Sequence, residues 1–359
     1  MPRLKIILIL ISVLVAMLLR QEDLMKHSEN PSTDSFDTSG VPVSAIPSSL
    51  PVVSTPSRYP NIRIHPNPLV QQSEMSIVVD PSNSRRLLVG DNTHIPSNFD
   101  SIAGQGYYFT TDAGLHWIGS DTLTSSLGGV GDPSVAIDAD GNSFFSFLRG
   151  LGNNKNKILI KKFTNGAASW GPDLPIDSLS LYPDKDHLTI DVAPLSPFQN
   201  RVYSAWTDGK IFYPRPVKLA RSSNGGVTFN DSVWVSGNTG YQLASGVNLA
   251  VGINHEVFAA WVYYDTATGR ESALGFNIST DAGQSWNIPG FPKRIVPTGF
   301  SGIRGFLSKG SLIRVRSYPS MDVDRTNGPH RGSIYITWAN GLSDHTKPDI
   351  MLIKSGRRY

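Results

Sequence analysis

The chain has 359 residues, 39% of them hydrophobic, with 32 basic against 29 acidic side chains for a net charge of +3, enough apolar content to pack one large or two ordinary domains. No basic run is interleaved with aromatics, so no nucleic-acid partner is expected. Zero cysteines exclude a disulfide framework, a thiolate nucleophile and a zinc–thiolate site.

At the N-terminus Arg3 and Lys5 precede an apolar run from Ile6 to Leu19 that Arg20 closes. Residues 1–20 therefore read as a signal peptide, and export (secreted, periplasmic or cell surface) is expected. No small-x-small cleavage site follows, which leaves an uncleaved N-terminal anchor, with membrane attachment, as the alternative. Residues 21–60 are rich in Ser, Pro, Thr and Asp without an apolar period, the composition of a disordered linker. The globular part is expected over 61–359.

From there one pattern recurs. Short apolar strands end at SIVVD (Asp80), SVAID (Asp138), LTID (Asp191), NLAVG (Gly252) and SMDVD (Asp324). Each leads through a turn to a second strand: RRLLVGD, NSFFSFL, RVYSAWTD, EVFAAWVYYD and GSIYITWAN. Third strands follow (GYYFTTD, KILIKKF, VKLARSS, ALGFNIS, DIMLIKS), and most end in a box of Ser or Thr, then Asp or Asn two residues on, Gly two further, and an aromatic three beyond. The boxes are TTDAGLHW (Asp112, Gly114, Trp117), SSNGGVTF (Asn224, Gly226, Phe229) and STDAGQSW (Asp281, Gly283, Trp286), with a weaker FTNGAASW (Asn165, Trp170). A near-constant period with four short antiparallel strands per repeat and almost no helical periodicity predicts an all-β propeller, with blades starting near Glu74, Asp132, Asp186, Gly246 and Tyr318. In each box the carboxylate or carboxamide is expected to accept backbone N–H groups across the turn between strands three and four, the Gly to take positive φ, and the aromatic to cover the turn.

These boxes resemble the Asp-box, or bacterial neuraminidase repeat, and the hairpin register makes the chain from about Gln71 onward similar to sialidase-like Asp-box propellers. The resemblance implies the six-bladed type, whereas five repeats are visible and the last is incomplete. At KSGRRY, Ser355 stands where a box would begin, Arg357 replaces its Asp and no Trp follows. The chain thus reads as cut short in its fifth blade; alternatively NIRIH, Asn61 to His65, supplies the missing outer strand and closes a five-bladed ring.

Residues expected at the channel mouth come from the start of each first strand and from the loops joining strands two and three. From the first set come Glu74, Asp132, the run Asp184, Lys185, Asp186 and His187, Asn248, Arg316 and Tyr318. The second set gives Asp91, Arg149, Trp206, Asp208, Tyr263, Tyr264, Arg270 and Asp344. Carboxylates, arginines and tyrosines on one mouth suit an anionic or polyhydroxylated ligand. Asp208, Tyr263 and Arg270 are the ligand-binding candidates, and the channel residues Glu74, Asp132, Asp184, Asp186, Arg149, Arg316 and Tyr318 the catalytic ones.

Trp206, Trp261 and Trp338 recur at one register of strand two and are expected in the core between blades. DADGN, Asp138 to Asn142, opens like a calcium loop but has Arg149 where the twelfth-position Glu would stand, so it reads as a hairpin turn. No metal site and no cofactor is expected.

The resemblance implies an exported sialidase-like glycoside hydrolase, of the exo-α-sialidase type, or a degenerate relative acting on glycans. It would require three arginines on the substrate carboxylate, a Tyr nucleophile backed by Glu, and an Asp. The family's Phe-Arg-Ile-Pro segment is absent; IRIHP, Ile62 to Pro66, has Arg63 but an extra His65, and no catalytic position is carried over from the resemblance. The alternative is a non-catalytic propeller that binds glycans or proteins, an adhesion module.

Overall fold

In a computed structural model of the chain, the residues described are 63–64, 70–95, 98–123, 129–153, 155–165, 169–177, 179–180, 182–209, 215–236, 243–286, 292–295, 300, 302, 315–341 and 349–355, with backbone alone for 95, 98–101 and 129–130. The N-terminal apolar segment, the linker, Asp344 and Arg357 lie outside them.

The described residues form five antiparallel sheets, each a meander of consecutive strands, with no helix among them. Blade 1 is β1 (Gln71–Asp80), β2 (Asn83–Ile95), β3 (Asn98–Thr110) and β4 (Ile118–Ser120). Blade 2 is β5 (Gly129–Ile137), β6 (Ser143–Gly152), β7 (Lys155–Phe163) and β8 (Leu174–Pro175). Blade 3 is β9 (Pro183–Ile190), β10 (Val202–Asp208), β11 (Val217–Ser222) and β12 (Val233–Trp234). Blade 4 is β13 (Leu243–Val251), β14 (Val257–Tyr264), β15 (Glu271–Ser279) and β16 (Lys293–Ile295). Blade 5 has three described strands, β17 (Ser320–Val323), β18 (Ile334–Asn340) and β19 (Asp349–Lys354). The architecture is a β-propeller of five blades, and a sixth is not seen among the described residues. Arg63 and Ile64, the described part of NIRIH, belong to no strand.

Period-two alternation explains how the blades pack. Along β14, Val257, Ala259, Trp261 and Tyr263 join the apolar cluster shared with blade 3, while Phe258, Ala260 and Val262 join the one shared with blade 5. β14 is thus apolar on both faces, because a neighbouring blade covers each. Phe147, Trp206, Trp261 and Trp338 occupy one register of β6, β10, β14 and β18 and face the preceding blade, all at most 2% exposed. In blade 1 that register holds Asp91, buried within β2 rather than in a mouth loop, with burial lifting its pKa to about 7.

The turns after the first strands repeat as well. Asp80, Asp138, Asp191 and Asp324 each accept a backbone N–H two residues on, at 2.8, 3.0, 3.0 and 2.8 Å. Blade 4 has Gly252 in that place, and Glu256 supplies the carboxylate, accepting Asn254 N–H at 3.0 Å. A Cβ on Gly252 would fall 2.3 Å from that carboxylate, so the acid has moved across the turn and glycine makes room for it.

A second repeat joins the inner strands. Ser76 Oγ accepts Val135 N–H at 3.1 Å, Ser134 Oγ accepts Leu188 N–H at 2.8 Å, His187 Nδ1 accepts Leu249 N–H at 3.2 Å, and Asn248 Oδ1 accepts Met321 N–H at 3.1 Å. Each bond runs from one blade's inner strand to the next. Ser320 holds the equivalent place in blade 5, and among the described residues it receives no such bond from blade 1.

Candidate functional site

A left-handed residue interrupts four inner strands. Glu74 (φ 53°), Asp132 (φ 54°), Lys185 (φ 52°) and Gly246 (φ 65°) each lie at or beside a β-bulge in the pairing of first and second strands. A side chain other than glycine rarely adopts this conformation, and three such residues in equivalent places mark a built feature. All four stand six residues before the residue that ends the strand pattern, Asp80, Asp138, Asp191 or Gly252. Tyr318 stands six before Asp324 in blade 5, where Pro319 follows and no positive φ occurs.

The bulges bring their side chains together. Lys185 Nζ lies 2.6 Å from Glu74 Oε1 and 2.6 Å from Asp132 Oδ1, spanning blades 1, 2 and 3. The Lys185 backbone N–H donates to Asp132 Oδ2 at 3.0 Å, and Asn92 Nδ2 donates to Glu74 Oε2 at 2.9 Å. On the other side Tyr318 fills the space a side chain on Gly246 would need: a Cβ there would be 2.2 Å from its ring. Its hydroxyl lies 3.1 Å from Ser245 Oγ.

This environment pushes the acids apart. Burial raises the Glu74 pKa and Asp132 adds to the rise, against the pull of Lys185. Burial would raise Asp132 too, but Lys185 and hydrogen bonds from its neighbours hold it down to about 2. Asp186, on the same strand as Lys185, is buried and pushed up to about 7 although Ser146 Oγ donates to it. Beside it, burial drops His187 to about 4, keeping the ring neutral as the acceptor its inter-blade bond requires.

The other expected residues do not converge. Arg149 pairs with Asp173 at 3.6 Å, Asp208 with Lys218 at 2.6 Å, and Asp184 with Arg215. Tyr263 is 2% exposed in the core between blades 3 and 4. It lies on the same face of β14 as Trp261, so it offers no surface to a ligand. Arg270 and Arg316 are exposed. Tyr264 donates to Glu271 Oε1 at 3.2 Å, and burial holds its phenol far above the ordinary range. Lys185 was expected at the mouth as part of DKDH but not among the catalytic candidates, which took its acidic neighbours, although its six-residue spacing to Asp191 carried the signal.

The box turns lie at the far end of each blade's third strand. Asp112 Oδ1 accepts His116 N–H at 2.9 Å, Asn224 Oδ1 accepts Thr228 N–H at 3.0 Å, and Asp281 Oδ1 accepts Ser285 N–H at 2.9 Å. In each the opening hydroxyl, from Thr110, Ser222 or Ser279, accepts the glycine N–H at 3.0, 2.9 or 2.8 Å. Gly114, Gly226 and Gly283 have φ of 88°, 80° and 79°. Trp286 is buried in the core between blades 3 and 4, Phe229 packs against the core between blades 2 and 3, and Trp117 is half-buried with its indole N–H on Gly114 O at 3.0 Å. Asn165 departs from the pattern: its amide groups reach back to Asn142 and Asp140 in the hairpin turn, both at 3.0 Å.

No family model matches the chain, and no curated protein does. Among solved structures it is similar to the GH93 α-L-arabinofuranosidase of Fusarium graminearum with arabinobiose, at 10% identity over 78% of this chain and 80% of that one, TM-score 0.50. It is also similar to a Penicillium chrysogenum α-L-arabinanase complexed with arabinobiose (11% identity, 79% and 93% covered, TM-score 0.49). An N-acetylgalactosamine deacetylase from F. plautii in complex with blood group B trisaccharide gives 12% identity, 83% and 91% covered, TM-score 0.49. At these identities the likeness is one of fold.

Proposed function

We propose that the chain acts on glycans, and that its channel mouth hydrolyses a glycosidic bond with carboxylates. The observation that carries this reading is the Glu74–Lys185–Asp132 cluster beside Asp186: acids from three blades meet at one mouth, with Glu74 and Asp186 shifted upward and Asp132 downward. Hydrolysis needs a protonated carboxyl to give its proton to the leaving oxygen and an ionised one to face the positive charge that develops on the sugar. Glu74 fits the first role, since its pKa is raised and its side chain is 35% exposed. Asp132 fits the second.

Glu74 and Asp132 each reach the same Lys185 nitrogen at 2.6 Å, and the course proposed for them is a double displacement. In that course Asp132 attacks the anomeric carbon as the leaving oxygen takes the Glu74 proton. Glu74 then draws a proton from water, whose oxygen displaces Asp132 and frees the sugar. Lys185 keeps Asp132 ionised until it attacks and stabilises the carboxylate again when it is released.

The shared fold with an arabinofuranosidase solved with arabinobiose puts arabinosides first among substrates to try. A second, sialidase-type reading rests on the Tyr264–Glu271 hydrogen bond with Arg316 and Tyr318 nearby. Against it, Arg149 and Arg215, which a carboxylate clamp would have to draw on, are paired with Asp173 and Asp184. The test is hydrolysis of aryl α-L-arabinofuranoside, arabinan and an aryl sialoside by the purified chain and by Glu74→Gln. The expected result is cleavage of an arabinoside or arabinan, reduced about 100-fold or more in the variant. Sialoside cleavage that Tyr264→Phe abolishes and Glu74→Gln spares would favour tyrosine chemistry. No turnover, with oligosaccharide binding that Glu74→Gln weakens, would favour the binding module.

A further inference from the structure

Blade 3 breaks the repeat at its lower edge. The residue just before each second-strand core and its diagonal neighbour near the end of the third strand are Arg86 and Phe109 in blade 1, Asn142 and Lys162 in blade 2, Glu256 and Ile278 in blade 4, and Ser333 and Lys354 in blade 5. In blade 3 they are Arg201 and Arg221. Two guanidiniums there share a sheet face with Tyr203, which pairs directly with Arg221.

In blade 1 the single cation is neutralised: Arg86 pairs with Asp80 at 3.0 Å and lies over Phe109 at 5.5 Å. Neither blade 3 arginine pairs with a carboxylate among the described residues. Arg201 stacks over Phe198 at 4.3 Å and gives one N–H to Ala282 O at 3.4 Å; Arg221 gives one to Gly283 O at 3.2 Å. The nearest acids are engaged elsewhere. Asp281 accepts from Ser279, Ser285 and the Gln284 and Ser285 N–H groups, and Asp191 from Ala193 N–H and Ser196. Burial, and then the charge of Arg201, lowers the Arg221 pKa, with the Asp281 carboxylate pulling the other way.

These arginines line an open cleft of about 360 Å³ between the box turns of blades 3 and 4, a size that takes one sugar unit. Its other walls carry the hydroxyls and amides of Ser223, Thr228, Asn230 and Gln284, with Phe229 as the apolar surface. We infer that this cleft binds an acidic sugar, one bearing a carboxylate or a sulfate ester, with the anion on the Arg201–Arg221 pair and the sugar hydroxyls on the neutral polar walls. A guanidinium fork suits either oxyanion. The cleft is remote from the channel mouth, so its ligand binds whether or not the mouth hydrolyses anything.

The test is calorimetric titration of the full chain with a uronic-acid disaccharide, a sulfated disaccharide and a neutral disaccharide, for wild type, Arg201→Gln, Arg221→Gln, Arg221→Lys and, as control, Lys155→Gln. At least one acidic disaccharide should bind ten times or more tightly than the neutral one, and which it is identifies the anion. Either glutamine variant should weaken that binding at least tenfold, Arg221→Lys less, and Lys155→Gln not at all. Equal binding of acidic and neutral sugars, no binding of any, or wild-type affinity in folded glutamine variants would overturn the inference. If a glutamine variant fails to fold, hydrogen exchange of the wild type decides: the acidic disaccharide should slow exchange at 221–230 and 282–286, and no slowing there is equally contrary.

Discussion

The inner bulges and the box turns are both repeated, but they repeat different things. In the box turns the side chains recur: Asp112, Asn224 and Asp281 make the same bond four residues along the chain, and Thr110, Ser222 and Ser279 make the same bond to a glycine N–H. At the bulges the backbone recurs and the chemistry does not, with Glu74, Asp132, Lys185 and Gly246 at one left-handed place. Constant side chains signal a demand every blade shares, which is to close its turn. Constant backbone with varied side chains signals a shared frame that presents different groups to one point. The mouth is therefore where function is expected, and the turns are where stability is.

That contrast can be broken or sharpened by substitution. The largest effect on folding is expected from Lys185→Met, which leaves two carboxylates facing each other without their cation and should cost about 3 kcal/mol by denaturant titration. Glu74→Gln in the same chain should recover part of that loss, and strict additivity would mean that the three groups are not one cluster. Gly246→Ala should cost about 1 to 2 kcal/mol because φ is 65° and Tyr318 occupies the Cβ space. Loss of the 3.1 Å Ser245–Tyr318 contact should accompany it, and an unchanged tyrosine fluorescence and melting curve would count against the described geometry. Asp281→Ala should cost about 1 kcal/mol, since the turn faces water, and leave channel function intact.

A separate effect is on the pH dependence of stability, where two opposed slopes nearly cancel in the wild type. His187 has a depressed folded pKa of about 4, so its contribution grows as pH rises from about 4 to 6.5. Asp186, raised to about 7, contributes below its ordinary pKa and loses that contribution as pH rises through 7. The two slopes oppose each other in the wild type. Asp186→Asn should therefore gain stability with pH more steeply than wild type, and His187→Asn should lose stability over the same range. Melting curves at pH 4, 5.5 and 7.5 would show it; parallel profiles in all three proteins would contradict it.

How far the sequence was legible follows from the same contrast. The alternation of Phe258 and Trp261 onto opposite faces, and the box at Ser279–Trp286, rest on local patterns that strings of residues carry. Tyr263 was misread as a ligand contact, although the alternation that buries Trp261 also buries Tyr263 two residues on. Asp91 was placed in a loop, because an acid inside a central strand contradicts propensity and only the register with Phe147 and Trp206 shows where it sits. The bulges had no propensity signal at all, since neither Glu, Asp nor Lys announces a left-handed residue. Their spacing to Asp80, Asp138 and Asp191 did, once the blades were aligned. Asn165 kept the box residue but not its bond, because the hairpin turn at Asp140–Asn142 competes for its amide.

The most direct test of the functional account is the initial rate of glycoside cleavage by Glu74→Gln and Asp281→Ala, measured side by side with wild type at a temperature well below every melting point. The account predicts a fall of about 100-fold or more for Glu74→Gln with a melting temperature close to wild type, and a wild-type rate for Asp281→Ala with a lowered melting temperature. A Glu74→Gln enzyme that cleaves at the wild-type rate, or an Asp281→Ala enzyme that melts like wild type yet loses activity, would contradict it.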